Sequence, residues 1–265
     1  MNAKKYLDLL FEGKKEEAEH LRSAAIPDKV IKFFWLDGSR KDKKKLSSLK
    51  RDEIWFAHKD ILNDPYEYKG MLIDREKMQD AGYPAEIIDK YETLLDFSDY
   101  GITCFSSNNI DYLPMWAYYT NNHQGYCVEY EVINKSCIHE VFYEDDRIKV
   151  ASLLFQCKEA IKHAIISGDS KRADFYTIIF LQNLFIKSSS WQHENECRIV
   201  YPLNNDTGIN VPVSQLGLKT SKIIAGINCS KSNIKKLNKI SNSLGLGDVY
   251  KSKIHSEKYT IETIR

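Results

Sequence analysis

The sequence is poor in signatures. It has no phosphate-cradling Gly-Lys-Ser/Thr loop, no Gly-x-Gly-x-x-Gly, no His-Glu-x-x-His and no Gly-x-Ser-x-Gly. P-loop ATPase, Rossmann dehydrogenase, zincin and α/β-hydrolase readings are therefore disfavoured. No run of about 18 apolar residues occurs, so no segment is expected to span a membrane. Six cysteines (Cys104, Cys127, Cys137, Cys157, Cys197 and Cys229) lie scattered in apolar contexts without a close pair. That suggests neither a zinc site nor a disulfide frame, and the expected compartment is the reducing cytosol. Net charge is only +1, so no global field draws in nucleic acid or anionic lipid. Internal repeats, low-complexity tracts and a clear linker are also missing.

What is present fits one domain. The 265 residues sit at the upper end of what a single core supports, and 43% hydrophobic residues suffice for a sizeable one. The expected organisation is a single domain over 1–265, with an N-terminal helical extension (1–25) and an α+β core (28–265). The stretch Met1 to Glu12 reads as an amphipathic helix and not a signal peptide, because Asp8 interrupts its apolar run and no small-residue cleavage site follows. Two basic runs stand out: Arg40, Lys41, Lys43, Lys44 and Lys45 early, and Lys231, Lys235, Lys236 and Lys239 late. Each, taken alone, reads as a solvated loop or helix face.

Hydrophobic periodicity gives a coarse element order. Short helices over 3–24 end at Pro27. A strand is expected at 30–35, a basic helix over 42–50 with Leu46 and Leu49 inward, and a strand at 54–57. A helix over 85–97 brings Ile87, Ile88, Tyr91, Leu94 and Leu95 to one face. Strands at 101–106 and 126–130 flank a short helix, Leu113 to Tyr119. Two long helices follow at 150–166 and 171–190. The last third alternates strands at 197–201, 222–227, 247–251 and 258–263 with one helix near 231–244. Strands on both sides of a central helical segment favour α+β, with mixed or antiparallel sheets, over an alternating βαβ fold.

Four constellations can carry chemistry. The first is Trp191-Gln192-His193-Glu194-Asn195-Glu196-Cys197-Arg198. Its glutamates point to opposite faces if extended, or one lies on a loop and one on the strand; Arg198 shares the side of Glu196 and can pair with it. The second is the turn Asn63-Asp64-Pro65 leading to Glu67, a polar exit from a strand, where function often sits. The third is Cys104-Phe105-Ser106-Ser107-Asn108-Asn109, whose hydroxyls and amides suit a ribose or phosphate. The fourth runs from Met115-Trp116 through Tyr119 to His123-Gln124-Gly125, with aromatics able to stack on a base or nicotinamide and His123 as a candidate general base. Each has a plain structural alternative: a Glu–Arg pair, a capped turn, a strand exit, an aromatic core.

In this order the blocks resemble a widespread bacterial family known only as a domain of unknown function. Its pattern is matched by Lys32-Phe33-Phe34, Trp55-Phe56, Asn63-Asp64-Pro65, Cys104-Phe105-Ser106, Met115-Trp116, Tyr119, His123, Gly125, Trp191, Glu194, Glu196 and Arg198. That resemblance implies no activity. A second one, to toxin-type ADP-ribosyltransferases, does. There Phe105-Ser106-Ser107 is similar to the family's Ser-rich strand end, and Glu194-x-Glu196 before Ile199-Val200-Tyr201 to its late Glu-x-Glu. The resemblance implies an ADP-ribosyltransferase-like fold and NAD as cofactor. It implies that Glu196 binds the ribose and stabilises an oxocarbenium-like state, that Glu194 orients the acceptor and that Ser106 supports the nicotinamide pocket. Lys32 stands where the family has arginine and holds a phosphate only as a point charge. Phe105, Trp116, Tyr119, His123, Asn63 and Asp64 complete the expected cofactor-binding set, with no metal. The expected role is a cytoplasmic toxin or phage-defence effector acting on nucleic acid or protein, with a cognate antitoxin or immunity partner and no membrane partner. The alternatives are a metal-dependent nuclease using Asp64, Glu67, Glu194 and Glu196 around Mg²⁺, and a non-enzymatic immunity or antitoxin-type binding protein.

Overall fold

Pro27 has no amide proton to give and stops the N-terminal helices, and the chain behind it turns into strand. The computed structural model describes residues 3–204 and 207–265; Met1 and Asn2 of the expected extension lie outside them, as does the side chain of Leu94. Helices α1 (Ala3–Phe11) and α2 (Lys15–Ala25) come first. Strand β1 (Lys29–Phe34) leads to α3 (Arg40–Lys50), capped by the Ser39 hydroxyl accepting from the Lys41 amide, and then to β2 (Glu53–Ala57). An excursion holds β3 (Met71–Leu72), α4 (Arg75–Asp80) and α5 (Ala85–Glu92). Next are β4 (Tyr100–Ser106), α6 (Leu113–Tyr119) and β5 (Tyr126–Val132). Short strands β6 (His139–Glu140), β7 (Phe142–Glu144) and β8 (Ile148–Lys149) precede the hairpin of α7 (Ala151–Ser167) and α8 (Lys171–Leu181). Last come β9 (Ile186–Ser188), β10 (Glu196–Pro202), β11 (Gly208–Pro212), β12 (Leu218–Ala225), α9 (Lys231–Ser243), β13 (Tyr250–Ile254) and β14 (Ile261–Ile264). The α+β class is as expected from sequence.

Ten strands join in one mixed sheet, ordered β11-β2-β4-β1-β5-β12-β13-β14, with β10 on β4 and β6 on β10. Among the described residues, the β12–β13 pairing is its one parallel pairing. Strand β4 is the branch point. It is antiparallel to β10 along its whole length, from Ser106 opposite Glu196 to Tyr100 opposite Pro202. It also meets β1 at Ile31–Ser106 and β2 at Ala57–Ile102.

The β4–β10 ribbon separates two apolar cores. One face, with Phe105, Cys197 and Ile199, joins Phe56, Tyr126, Tyr130 and Leu237 beneath α3 and α9. On the other side lies a helical core built from Tyr6, Leu10, Met78, Ile88, Phe142 and Ile179. Helix α1 thus puts its apolar face into that core, and Arg22 of α2 donates to the carbonyls of Ile138 (2.5 Å) and Lys135 (3.0 Å). The six cysteines are free thiols. No described helix is long and apolar enough to cross a membrane.

The expected helix over 171–190 ends at Leu181 instead. Tertiary hydrogen bonds end it. Asn183 is fully buried, accepts from the Met71 amide (2.7 Å) and donates to the Tyr68 carbonyl (2.6 Å). These bonds tie the chain to the 68–71 segment and turn it into β9, against β7. The 85–97 helix similarly tightens into a 3-10 turn at Thr93–Leu95.

Candidate functional site: an ion cluster between two cores

Strand β10 begins abruptly, and that start builds the site. Residues Ser189–Glu194 form a 3-10 turn, and Asn195 takes a left-handed conformation (φ 43°) before the strand starts at Glu196. Asparagine tolerates this region better than most residues. The reversal is held from β4: Ser106 Oγ donates to the Glu194 carbonyl (2.6 Å), Asn108 Nδ2 to the His193 carbonyl (2.8 Å), and the Ser107 amide to the Asn195 carbonyl (2.8 Å). The two glutamates consequently converge: one lies on the turn and one on the strand, and both carboxylates reach Lys187 of β9.

Lys187 Nζ stands 2.6 Å from Glu194 Oε2 and 2.9 Å from Glu196 Oε2, with Glu67 Oε1 at 3.8 Å. Arg198 lies beyond. Its Nε donates to Glu196 Oε1 at 2.5 Å and Nη2 to Glu196 Oε2 at 3.1 Å. Its two terminal nitrogens grip Glu67 in a fork, both at 2.8 Å, and Nη1 also donates to the Leu184 carbonyl. All five guanidinium protons are used, the condition for a fully buried arginine. The Tyr119 hydroxyl donates to Glu194 Oε1, and Tyr143 accepts from the Glu196 amide at 2.8 Å. A chain of alternating charge results: Tyr119, Glu194, Lys187, Glu196, Arg198, Glu67. Its five charged members are each under 7% exposed.

Burial raises the proton affinity of Glu196, but Arg198 and Lys187 outweigh it and hold the carboxyl well below its usual range. Burial pushes Glu67 up, against the pull of Arg198. Lys187 is desolvated, yet Glu196 and Glu194 keep it firmly protonated. Tyr119 is pushed up by burial and by Glu194, so it keeps its proton and donates. Three carboxyl groups thus share two cations, Lys187 and Arg198.

The anticipated residues sort into three groups. Glu194, Glu196, Tyr119 and Asn63 come together, with Asn63 next to the Tyr119 hydroxyl. Ser106, Phe105 and Trp116 support from behind. The Ser106 hydroxyl is engaged by Glu194, Phe105 is sealed in the sheet core, and the fully buried Trp116 donates its indole N–H to the Ile110 carbonyl. Lys32 donates to the Cys104 carbonyl (2.9 Å) between the rings of Phe34 and Phe105, and desolvation lowers its pKa. Asp64 closes its own turn by accepting from the Tyr66 amide (2.9 Å). His123 stacks on Trp116 and ends three successive left-handed residues, Asn121 to His123. Gly226 is required there, since a Cβ on it would lie 2.2 Å from the His123 carbonyl oxygen.

Sequence reasoning missed Lys187 and Tyr143, and it named Trp191 and His193 without setting them and Tyr118 apart as an aromatic rim. The signal for Lys187 was a cation inside the apolar run Leu184-Phe185-Ile186-Lys187, absorbed there into an over-long helix. The rim consists of Trp191, whose ring lies 4.9 Å from the Lys187 ammonium, His193 stacked on Trp191, and Tyr118, 71% exposed and edge-on to His193. Among the described residues no group of three or more His, Cys, Asp and Glu is arranged to hold a metal ion. Lys187 and Arg198 already occupy the oxygens that a cation would need.

This is an α+β protein whose sheet and helical core meet across a buried ion cluster. A family described as "Protein of unknown function (DUF2971)" matches residues 115–199. The matched span carries Tyr119, Lys187, Glu194, Glu196 and Arg198, all of the cluster but Glu67. No curated protein and no solved structure matches the chain.

Proposed function

We propose that the cluster serves glycosyl transfer from NAD, an ADP-ribosyltransferase-like activity on a nucleic acid or protein acceptor. The observation that carries this reading is the hydroxyl of Tyr119 on Glu194 Oε1. A neutral O–H donor on the Glu194 carboxyl, at one end of the buried cluster, occupies the place that a ribose hydroxyl would take.

The residues fit one half of the dinucleotide better than the other. Trp191, His193 and Tyr118 offer a rim for a flat ring beside Glu194, whereas Lys32 is the one candidate cation anticipated for the pyrophosphate. Trp116 and Ser106 act as supports, because their polar groups serve the chain's own carbonyls. NAD would supply the ADP-ribosyl group and nicotinamide as the leaving group. Glu194, fixed by Lys187, accepts the hydrogen bond of the incoming hydroxyl as Tyr119 swings aside. Positive charge developing there meets a carboxyl group already oriented by Lys187 in a buried setting. Glu196 has both oxygens engaged, so it acts as a positioning residue by fixing Lys187. The direct contact thus passes to Glu194 from the glutamate that the resemblance would assign.

The nuclease reading fits less well, since Lys187 and Arg198 already engage oxygens of Glu67, Glu194 and Glu196 that a metal ion would need. NAD binding tests the proposal, read by quenching of Trp191 fluorescence. Saturable quenching is expected, lost in Trp191→Phe and weakened in Glu194→Gln. Absence of binding together with absence of nicotinamide release, with RNA, DNA or cell extract added, rules the reading out.

A further inference from the structure

The two basic runs lie far apart in the sequence, but the fold makes them neighbours. Helices α3 and α9 pack side by side over the same apolar core, α3 through Leu46 and Leu49, α9 through Ile234, Leu237 and Ile240. With those faces inward, helical periodicity turns Arg40, Lys43 and Lys44 of α3 and Lys231, Lys235 and Lys239 of α9 outward, and all six are exposed. The α9 row recurs every fourth residue, a rise of about 6 Å per step.

Charge is segregated to this face. Segments 40–51 and 231–243 hold eleven Lys and Arg and one carboxylate, while the rest of the chain holds 27 Lys and Arg against 36 Asp and Glu. That carboxylate, Asp42, is buried and caps the turn before α3 by accepting from the amides of Asp37 (3.0 Å) and Gly38 (2.8 Å). The ion pairs here, among the described residues, are Lys45–Asp42 and Arg51–Glu53. None of the six outward cations takes part in them. Trp35 sits 44% exposed at the edge, with the Lys45 ammonium 4.1 Å from its ring centre.

We infer that the α3–α9 face binds the phosphate backbone of a nucleic-acid duplex, without regard to sequence. A duplex carries one negative charge per about 1.7 Å of its axis and matches unpaired cations in rows. A lipid surface fits less well, because interfacial helices also present apolar side chains to the bilayer. Here the outward positions between the lysines are serines and asparagines, such as Ser47, Ser232 and Asn242. The inference does not rest on NAD chemistry, and its test reads binding alone.

The full chain is titrated against short fluorescent DNA and RNA duplexes at several salt concentrations, followed by anisotropy. Binding at low salt is expected, with a log–log salt slope near −0.9 per phosphate neutralised, about −5 if the six cations engage. The triple variant Lys231→Glu, Lys235→Glu, Lys239→Glu should flatten that slope by about three. A control triple on the other lobe, Lys158→Glu, Lys162→Glu, Lys171→Glu, should leave it unchanged. Circular dichroism confirms that both variants are folded. No binding at low salt, equal losses in the two triples, or binding to phosphatidylserine vesicles but not to duplexes would each overturn the inference.

Discussion

The two faces of the β4–β10 ribbon solve the burial problem in opposite ways. One face is apolar: Phe105, Cys197 and Ile199 merge with the core beneath α3 and α9. The other buries Ser106, Glu196 and Arg198, and needs Glu67 and Lys187, brought in by distant segments, to satisfy them. An apolar face is non-directional and tolerates small changes of shape. An ionic one is all-or-none, because each partner covers the desolvation of the next. The chain thus keeps a fragile, directional arrangement beside a forgiving one, at the point where left-handed Asn195 leads into the strand.

The contrast can be broken most sharply at Arg198. Arg198→Met strands Glu67 and Glu196 without their fork and should cost about 3–5 kcal/mol, read by urea unfolding. Adding Glu67→Met should recover part of that loss, whereas two independent sites would simply add. Acid should act next, through His139 of β6. Burial among Tyr6, Phe142 and Phe185 lowers its pKa to about 4. The folded state therefore resists the proton that the unfolded chain accepts near pH 6.5. Stability is full above that pH and falls as pH drops towards 4, by on the order of 3 kcal/mol. His139→Phe should flatten this part of the pH–stability curve. On the apolar face, Ile199→Val should cost about 1 kcal/mol at any pH in this range. The smallest effect belongs to Asn195→Gly, which keeps the left-handed turn and loses one hydrogen bond to Asn108. Its melting point should stay near the wild type, with a change of about 0.5 kcal/mol.

Much of this was legible before the fold was seen, and the exceptions share a cause. Local patterns placed β1, β2, β4, β5, α3, α6 and α9 well, because each has a clear periodicity or a capped end. The pairing of Glu196 with Arg198 follows from two-residue strand alternation, and the structure has it. Whether Glu194 lies on a loop or on the opposite face of the strand is left open by the sequence, since only the left-handed Asn195 decides it. Lys187 and Glu67 were harder. Their roles depend on a helix ended by Asn183 and on contacts between segments more than a hundred residues apart. The basic runs were visible singly, but their adjacency is a property of the shared core beneath them.

The most direct test of the central claim is nicotinamide release from labelled NAD by wild type and Glu194→Gln, with RNA, DNA or cell extract as acceptor source. The account predicts release by the wild type and a loss of about 100- to 1000-fold in a Glu194→Gln variant that melts near the wild-type temperature. Equal release by both proteins, or none by either, would contradict it.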